Sequence, residues 1–162
     1  MSHEPRLTVA LRNLLKAQRV AALGTLGDDS RTFVSMVPFA IDSEQGALVI
    51  HVSGLAAHTG NLQIHPQVSV LVMQAEVAGE PVHALPRVTL EGEATVLEAD
   101  SSQWASARAA YLSRFPDVEF MTQLPDFRFV SIAVTAARQL AGFGAARSIE
   151  AEELALVLRS SD

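Results

Sequence analysis

The sequence has 162 residues, of which 49% are hydrophobic and 19% charged, a composition typical of a globular domain with its own core. The formal net charge of −6 disfavours binding to phosphodiester backbones, so we expect no nucleic acid partner. No apolar run reaches membrane-spanning length, and the absence of cysteine excludes disulfides and thiolate chemistry. We therefore expect a cytoplasmic protein with no membrane contact.

The first predicted element is an amphipathic helix. Four leucines share one face of it at helical spacing: Leu7, Leu11, Leu14 and Leu15. Three extended segments follow, joined by the turn-forming stretches GDDS and DSEQG: Arg19–Leu26, Arg31–Ile41 and Ala47–Ser53. Connections this short join antiparallel neighbours.

A short helix and two further strands come next. The helix has one stripe at the spacing i, i+3, i+4 and i+7, formed by Leu55, His58, Thr59 and Leu62. Pro66 predicts that the helix ends near His65. Gln67–Met73 is a predicted strand, and from Arg87 to Val96 apolar and polar residues alternate as in a strand with one buried face.

The last third of the sequence predicts two helices around one long strand. Asp100 or Ser101 caps a helix in which residues from Trp104 to Phe115 keep helical spacing until Pro116, and DFRFVSIAVTAA is the sixth strand. LAGFGAARSI is extended, and a closing helix is marked by Ala151, Leu154 and Leu158. The pattern predicts a mainly β fold, a small antiparallel six-stranded barrel with flanking helices. We expect one domain over 1–162, with a helix in 1–18, the barrel over 19–149 and a helix in 150–162.

A polar cluster lies where the predicted strand Ala47–Ser53 leads into the short helix. It consists of Ser53, His58, Thr59 and Asn61, with no carboxylate nearby. Three interpretations remain open: a metal site, polar residues on a half-exposed helix, or an anion site at a helix start with neutral donors. Arg87 opens a strand on its polar face and is either a surface cation or an anion ligand.

Metal binding is the least favoured interpretation. His51, His58 and His65 stand seven residues apart, but the first is on a strand and the others on a helix. No Asp or Glu lies between Gln45 and Met73, whereas a zinc site needs three or four converging ligands. We therefore expect no metal site.

The chain resembles the split-barrel flavoproteins related to pyridoxamine 5′-phosphate oxidase, and within them the branch of bacterial haem-utilisation proteins. The resemblance extends from about Leu11 to about Leu154. Four stretches carry it: FVSMVPFAID, SGLAAHTGNLQIHPQVSVLV, PRVTLEGEATVL and DFRFVSIAVTAARQLAGFGAA. It implies a six-stranded split barrel of the FMN-binding type and a twofold homodimer that holds FMN in a groove shared by both subunits.

The resemblance also implies the cofactor contacts. The oxidase's first flavin segment corresponds to Ser35, Met36, Val37, Pro38, Phe39 and Ala40, and its next flavin pair to His51 and Val52. Its phosphate clamp corresponds to Ala57 and His58, followed by Thr59, and its flavin-contacting Gln to Arg87. With two residues added from the polar cluster, the predicted cofactor site consists of Ser35, Met36, Val37, Pro38, His51, Val52, Ser53, His58, Thr59, Asn61 and Arg87.

Departures from the family pattern shape the functional expectation. Three cationic phosphate ligands are replaced by Ser35, Ala40 and Ala57, and a fourth by His58. The carboxy-terminal substrate segment of the oxidase has no counterpart, so oxidation of pyridoxamine phosphate is not expected. The haem-utilisation branch typically has a carboxy-terminal haem-binding histidine, whereas no histidine follows His83 here.

Three functions remain open. The first is an FMN-binding homodimeric oxidoreductase of unassigned substrate, without an identified catalytic residue. The second is haem binding on the same barrel, with candidate axial ligands His51, His58, His65 and His83. The third is an interaction module without a cofactor. Met36, Pro38 and Phe39, on a strand apolar on both faces, are the basis for expecting a dimer.

Overall fold

The computed structural model describes residues 3–160; the ends of the predicted terminal helical segments, residues 1–2 and 161–162, lie outside the described residues. The helices are α1 (Arg6–Ala17), α2 (Ala57–Ile64), α3 (Ser102–Arg114) and α4 (Ala151–Arg159). The strands are β1 (Val20–Leu26), β2 (Thr32–Pro38), β3 (Ala40–Asp42), β4 (Ala47–Ser53), β5 (Gln67–Met73), β6 (Arg87–Val96), β7 (Phe127–Leu140) and β8 (Ala146–Ile149). Two 3-10 helices, Val82–Ala84 and Pro116–Gln123, lie in the connections.

The strands form one antiparallel sheet in the order β2-β1-β5-β6-β7-β4-β3, with β8 paired to β7. The two end strands, β2 and β3, are consecutive in the chain and separated only by Phe39. The sheet therefore curves into a half-barrel whose ends meet at this residue. The mainly β class with flanking helices is confirmed.

The prediction of six strands was wrong, since residues 3–160 contain eight. The segment expected as one strand, Arg31–Ile41, changes partner near its end: Pro38 pairs with Val20 of β1, whereas Ala40 pairs with Val49 of β4. Pro38 has no N–H to continue a ladder, so the strand is divided there. The glycine-containing extended segment supplies the eighth strand.

The main core lies inside the curve of the sheet. It joins Leu11 and Leu15 of α1, Leu154 and Leu158 of α4, and the inward side chains of the strands. Phe39, expected on a dimer face, is fully buried there. On the other face of β4 and β7, a second cluster packs beneath α3 around Tyr111, Phe115 and Phe129.

The predicted caps and boundaries are largely those of the structure. Ser101 rather than Asp100 caps α3, since its side chain accepts a hydrogen bond from the Trp104 N–H at 3.2 Å. The helix α2 ends at Ile64, one residue before His65, as Pro66 predicts. None of the helices within residues 3–160 is long and apolar enough to cross a membrane.

Candidate functional site

The candidate site is built where β4 turns into α2. The Gly54 N–H donates to the Asp126 carbonyl at 2.5 Å, and a Cβ at position 54 would lie 3.0 Å from that oxygen. A side chain here would push the two backbones apart. Glycine therefore allows the close turn that places the first turn of α2 against the sheet.

The first turn of α2 contains backbone N–H groups that are unpaired in the described chain. Its N-cap residue, Ala56, provides no side-chain cap, and the first turn contains no acidic residue. Within residues 3–160, the backbone N–H groups of Ala57 and His58 have no hydrogen-bond acceptor. Such unpaired groups, added to the positive end of the helix dipole, favour an anion.

The His58 ring is held in one orientation by β2. Its Nδ1 lies 2.9 Å from the Ser35 hydroxyl oxygen, so two predicted residues that are 23 positions apart are in direct contact. The Nε2 atom has no partner among the described residues. Burial lowers the pKa of His58, which favours the neutral imidazole at pH 7. In the tautomer whose Nδ1–H donates to the Ser35 hydroxyl, Nε2 is unprotonated and able to act as a ligand.

Thr59 and Asn61 anchor α2 to the sheet. The Thr59 hydroxyl, which is buried, donates to the Ser53 carbonyl at 2.6 Å, and the Asn61 amide donates to the Thr25 hydroxyl at 3.0 Å. The Ser53 hydroxyl accepts from the Leu55 N–H at 3.2 Å. These bonds position the helix, and a direct role of the three side chains in cofactor binding stays a prediction.

Thr25 is a site residue that the sequence analysis missed. Its hydroxyl accepts from Asn61 and donates to the Phe33 carbonyl at 3.4 Å, while the residue is only 4% exposed. A signal was present in the sequence. Thr25 stands in alternation with Ala21 and Leu23, on the buried face of β1, and a polar residue at such a position needs a hydrogen-bond partner.

The remaining residues of the predicted flavin segment point to different sides of the sheet. Val37 and Val52 are in the core and 3% exposed, so only their backbone could meet a ligand. Met36 points outward and is 66% exposed. Pro38 is half-buried at the end of β2.

His51 does not join the group around His58. Its ring centroid lies 4.5 Å from that of Phe129, 5.0 Å from that of Phe127 and 5.7 Å from that of Tyr111. It therefore belongs to the aromatic cluster beneath α3. Desolvation by burial lowers the pKa of His51 to about 4, so this imidazole is also neutral at pH 7.

Arg87 lies on the outer face of β6 and is bonded back to the preceding loop. Its guanidinium donates to the carbonyl of Leu85 at 2.9 Å and to that of His83 at 3.3 Å. Ser35, by contrast, faces α2. A single chain does not bring Arg87 to His58, so its role as a cofactor contact stays a prediction that depends on the predicted dimer.

The geometry supports two kinds of chemistry at the start of α2. The unpaired N–H groups suit a small anion, and the oriented neutral imidazole suits coordination of a metal centre carried by a cofactor. Within residues 3–160, no three potential metal-ligating side chains converge. His65 follows the last residue of α2 and His83 is exposed in a 3-10 turn, so His58 is the histidine placed best for a ligand.

Comparison with known proteins identifies the relatives of the chain. The sequence model of the family described as "Pyridoxamine 5'-phosphate oxidase" matches residues 7–141. Heme oxygenase HutZ of Vibrio cholerae is 27% identical over 150 residues, which cover 92% of this chain and 84% of that protein. The chloroplastic non-canonical heme oxygenase HOZ of Arabidopsis thaliana is 36% identical over 113 residues, which cover 69% of this chain and 32% of that protein.

The fold of this chain is also similar to that of a solved structure. The heme binding protein from Mycobacterium smegmatis matches with a TM-score of 0.84 and 28% identity, over 96% of this chain. The chain spans 62% of that mycobacterial protein and about a third of the Arabidopsis one. The matched region includes α2 and the strands around it.

Proposed function

This chain belongs to the pyridoxamine 5′-phosphate oxidase family, and on that premise we propose that it is a haem-binding protein in which His58 supplies an iron ligand. The names of the relatives support the choice of haem, since two are heme oxygenases and one is a heme binding protein. The observation that carries the proposal is the hydrogen bond between Ser35 and His58 Nδ1.

That hydrogen bond would suit His58 to hold the iron of a bound haem. It orients the ring and leaves Nε2 as the free nitrogen, and burial keeps the imidazole neutral. Leu55, two residues before the start of α2, is 86% exposed and provides an apolar side chain three positions before His58 in the sequence. Bound haem supplies one-electron and oxygen chemistry, while the residues of this chain bind and orient it.

Haemin titration tests this proposal. The wild-type chain should develop a shifted Soret band, and His58→Ala should lower the affinity by roughly 100-fold because an imidazole ligand is lost. His83→Ala is the matched control, since it removes an exposed imidazole outside the site. An unchanged Soret shift and affinity in His58→Ala would contradict the role of His58.

FMN binding is the second candidate and has its own supporting observation. The unpaired N–H groups of Ala57 and His58, with the Ser35 hydroxyl nearby and no acidic residue in the first turn of α2, suit a phosphate. A flavin would make the chain an oxidoreductase of unassigned substrate. Quenching of FMN fluorescence without quenching of riboflavin, which lacks the phosphate, would support it; equal quenching of both would argue against a phosphate site.

We also propose a homodimer formed through the outer face of β1, β2 and β5. Val34 and Met36 are 67% and 66% exposed, and Val20 and Met73 on the neighbouring strands are 49% and 43% exposed. A group of exposed apolar side chains on a sheet face favours a second copy. Sedimentation should therefore give twice the chain mass of 17.3 kDa, and Met36→Glu should give the monomer; a wild-type monomer would contradict the dimer.

A further inference from the structure

A cavity lies apart from the α2 site, between α1, α3, α4 and β3. Its volume is about 230 Å³. A water molecule takes up roughly 30 Å³ of liquid, so the cavity has room for about eight water-sized groups. None of the residues around His58 lines it.

The walls of this cavity are cationic in an otherwise acidic chain. Arg12, Lys16 and Arg114 line it, whereas no Asp or Glu among residues 3–160 does. Glu4 is hydrogen-bonded to the Arg12 guanidinium and offsets that charge. Lys16 and Arg114 remain without a carboxylate partner in the described chain.

The Arg114 side chain is held by hydrogen bonds from one nitrogen, while its other N–H groups have no acceptor within residues 3–160. Its Nη2 donates to the carbonyls of Leu15 at 3.3 Å and Lys16 at 2.8 Å at the end of α1, and its guanidinium lies 4.9 Å from the Phe39 ring centroid. Its Nε and Nη1 have no acceptor in the described residues. Burial, followed by the charge of Arg19, lowers the pKa of Arg114, so a bound anion would stabilise a half-buried cation that no carboxylate in residues 3–160 pairs.

The rest of the lining is apolar apart from three serines, Ser43, Ser113 and Ser160. Leu15, Ile41 and Val157 form the apolar part, and the hydroxyls of Ser43 and Ser113 have no hydrogen-bond partner in residues 3–160. We infer that this cavity binds a small organic carboxylate, with the carboxylate at Arg114 and Lys16 and an apolar body of about five carbons along the opposite wall.

The single lysine of the sequence provides a direct reporter. Lys16 is the only lysine, so protein labelled with ¹³C at the lysine ε-carbon gives one Lys16 signal. Titration with hexanoate at millimolar concentration, without haem or flavin, should shift this signal in a saturable way. Hexanol and inorganic phosphate should cause no saturable shift, since the first lacks the charge and the second the apolar body. The result is independent of the proposed haem site.

Four variants keep Lys16 and test the geometry. Glu4→Gln frees the Arg12 guanidinium and should tighten hexanoate binding by roughly two- to fivefold, whereas Arg6→Gln changes a charge on the same helix outside the cavity and should have no effect. Ala110→Leu fills the cavity and should abolish the shift. Ser113→Leu, at an exposed position of the rim, serves the same purpose if Ala110→Leu does not fold.

The outcomes separate the inference from its alternatives. A saturable shift by hexanoate alone, lost in the cavity-filling variants, supports the site. The inference is overturned by the absence of a saturable shift, by an equal shift with hexanol or phosphate, or by a shift that persists when the cavity is filled.

Discussion

His51 and His58 are seven residues apart and both have a pKa lowered by burial, but their surroundings differ. The His51 ring packs among Phe127, Phe129 and Tyr111 and has no hydrogen bond within residues 3–160. The His58 ring is hydrogen-bonded to Ser35 at one nitrogen and free at the other. The His51 ring therefore contributes to the packing of the aromatic cluster. The His58 ring has a fixed orientation and a nitrogen without a partner in the described chain, which suits it to bind a ligand.

The largest effect expected from this contrast is an acid sensitivity caused by His51. Because its folded pKa is lowered from 6.5 to about 4, the unfolded chain takes up the proton first, and stability falls as pH decreases from 6.5 towards 4. The shift corresponds to at most about 3 kcal/mol. The half-exposed ring reduces this to about 2 kcal/mol of unfolding free energy.

Urea unfolding between pH 7 and pH 4 measures this loss. His51→Phe keeps an aromatic ring in the cluster and should flatten the pH dependence over that window, while His83→Phe, at an exposed position, should leave it as in the wild type. A His51→Phe profile with the same slope would show that His51 is not the source of the acid sensitivity.

Removal of the hydrogen bond at His58 should affect binding rather than stability. Ser35→Ala releases the imidazole from its orientation and should weaken haemin binding by about tenfold, less than the loss of the ring itself. Ser69→Ala, an exposed serine of β5, is the control for the loss of a strand hydroxyl. If Ser35→Ala binds haemin as tightly as the wild type, the hydrogen bond does not orient a ligand.

The smallest effect expected is at the anchor of α2. Thr25→Val keeps the shape of the side chain but removes the acceptor for the Asn61 amide, which should cost about 1 kcal/mol of unfolding free energy. Thr89→Val on the exposed face of β6 should change stability by less than about 0.5 kcal/mol. Equal unfolding free energies of Thr25→Val and the wild type would show that Asn61 finds an alternative partner.

Much of the fold could be predicted because its signals are local. Alternation and turn residues located the strands, with Gln67–Met73 and Ala47–Ser53 matching β5 and β4. Pro38 within Arg31–Ile41 was a sequence signal for the division of this strand, but the partners of its two halves could not be foreseen: β1 before Phe39 and β4 after it. The sequence of one strand does not indicate which other strands it will pair with.

Less of the candidate site could be predicted for the same reason. The grouping of Ser53, His58, Thr59 and Asn61 follows from a turn and one helix, and the structure brings them together. The resemblance that paired His51 with this group carried no information on which face of β4 its ring occupies. Nor did the sequence indicate that Thr25 is the partner of Asn61, since the two are 36 residues apart.

The Arg12 guanidinium contacts residues near both ends of the described range 3–160. Its Nε donates to the Ser160 hydroxyl at 2.9 Å, and its Nη1 to a Glu4 carboxylate oxygen at 2.6 Å. A short glycine-serine linker could therefore join residue 160 to residue 4, and new ends could be opened in the exposed loop at 77–80. In such a circular permutant the order of the elements along the chain changes, while α1 and α4 remain neighbours.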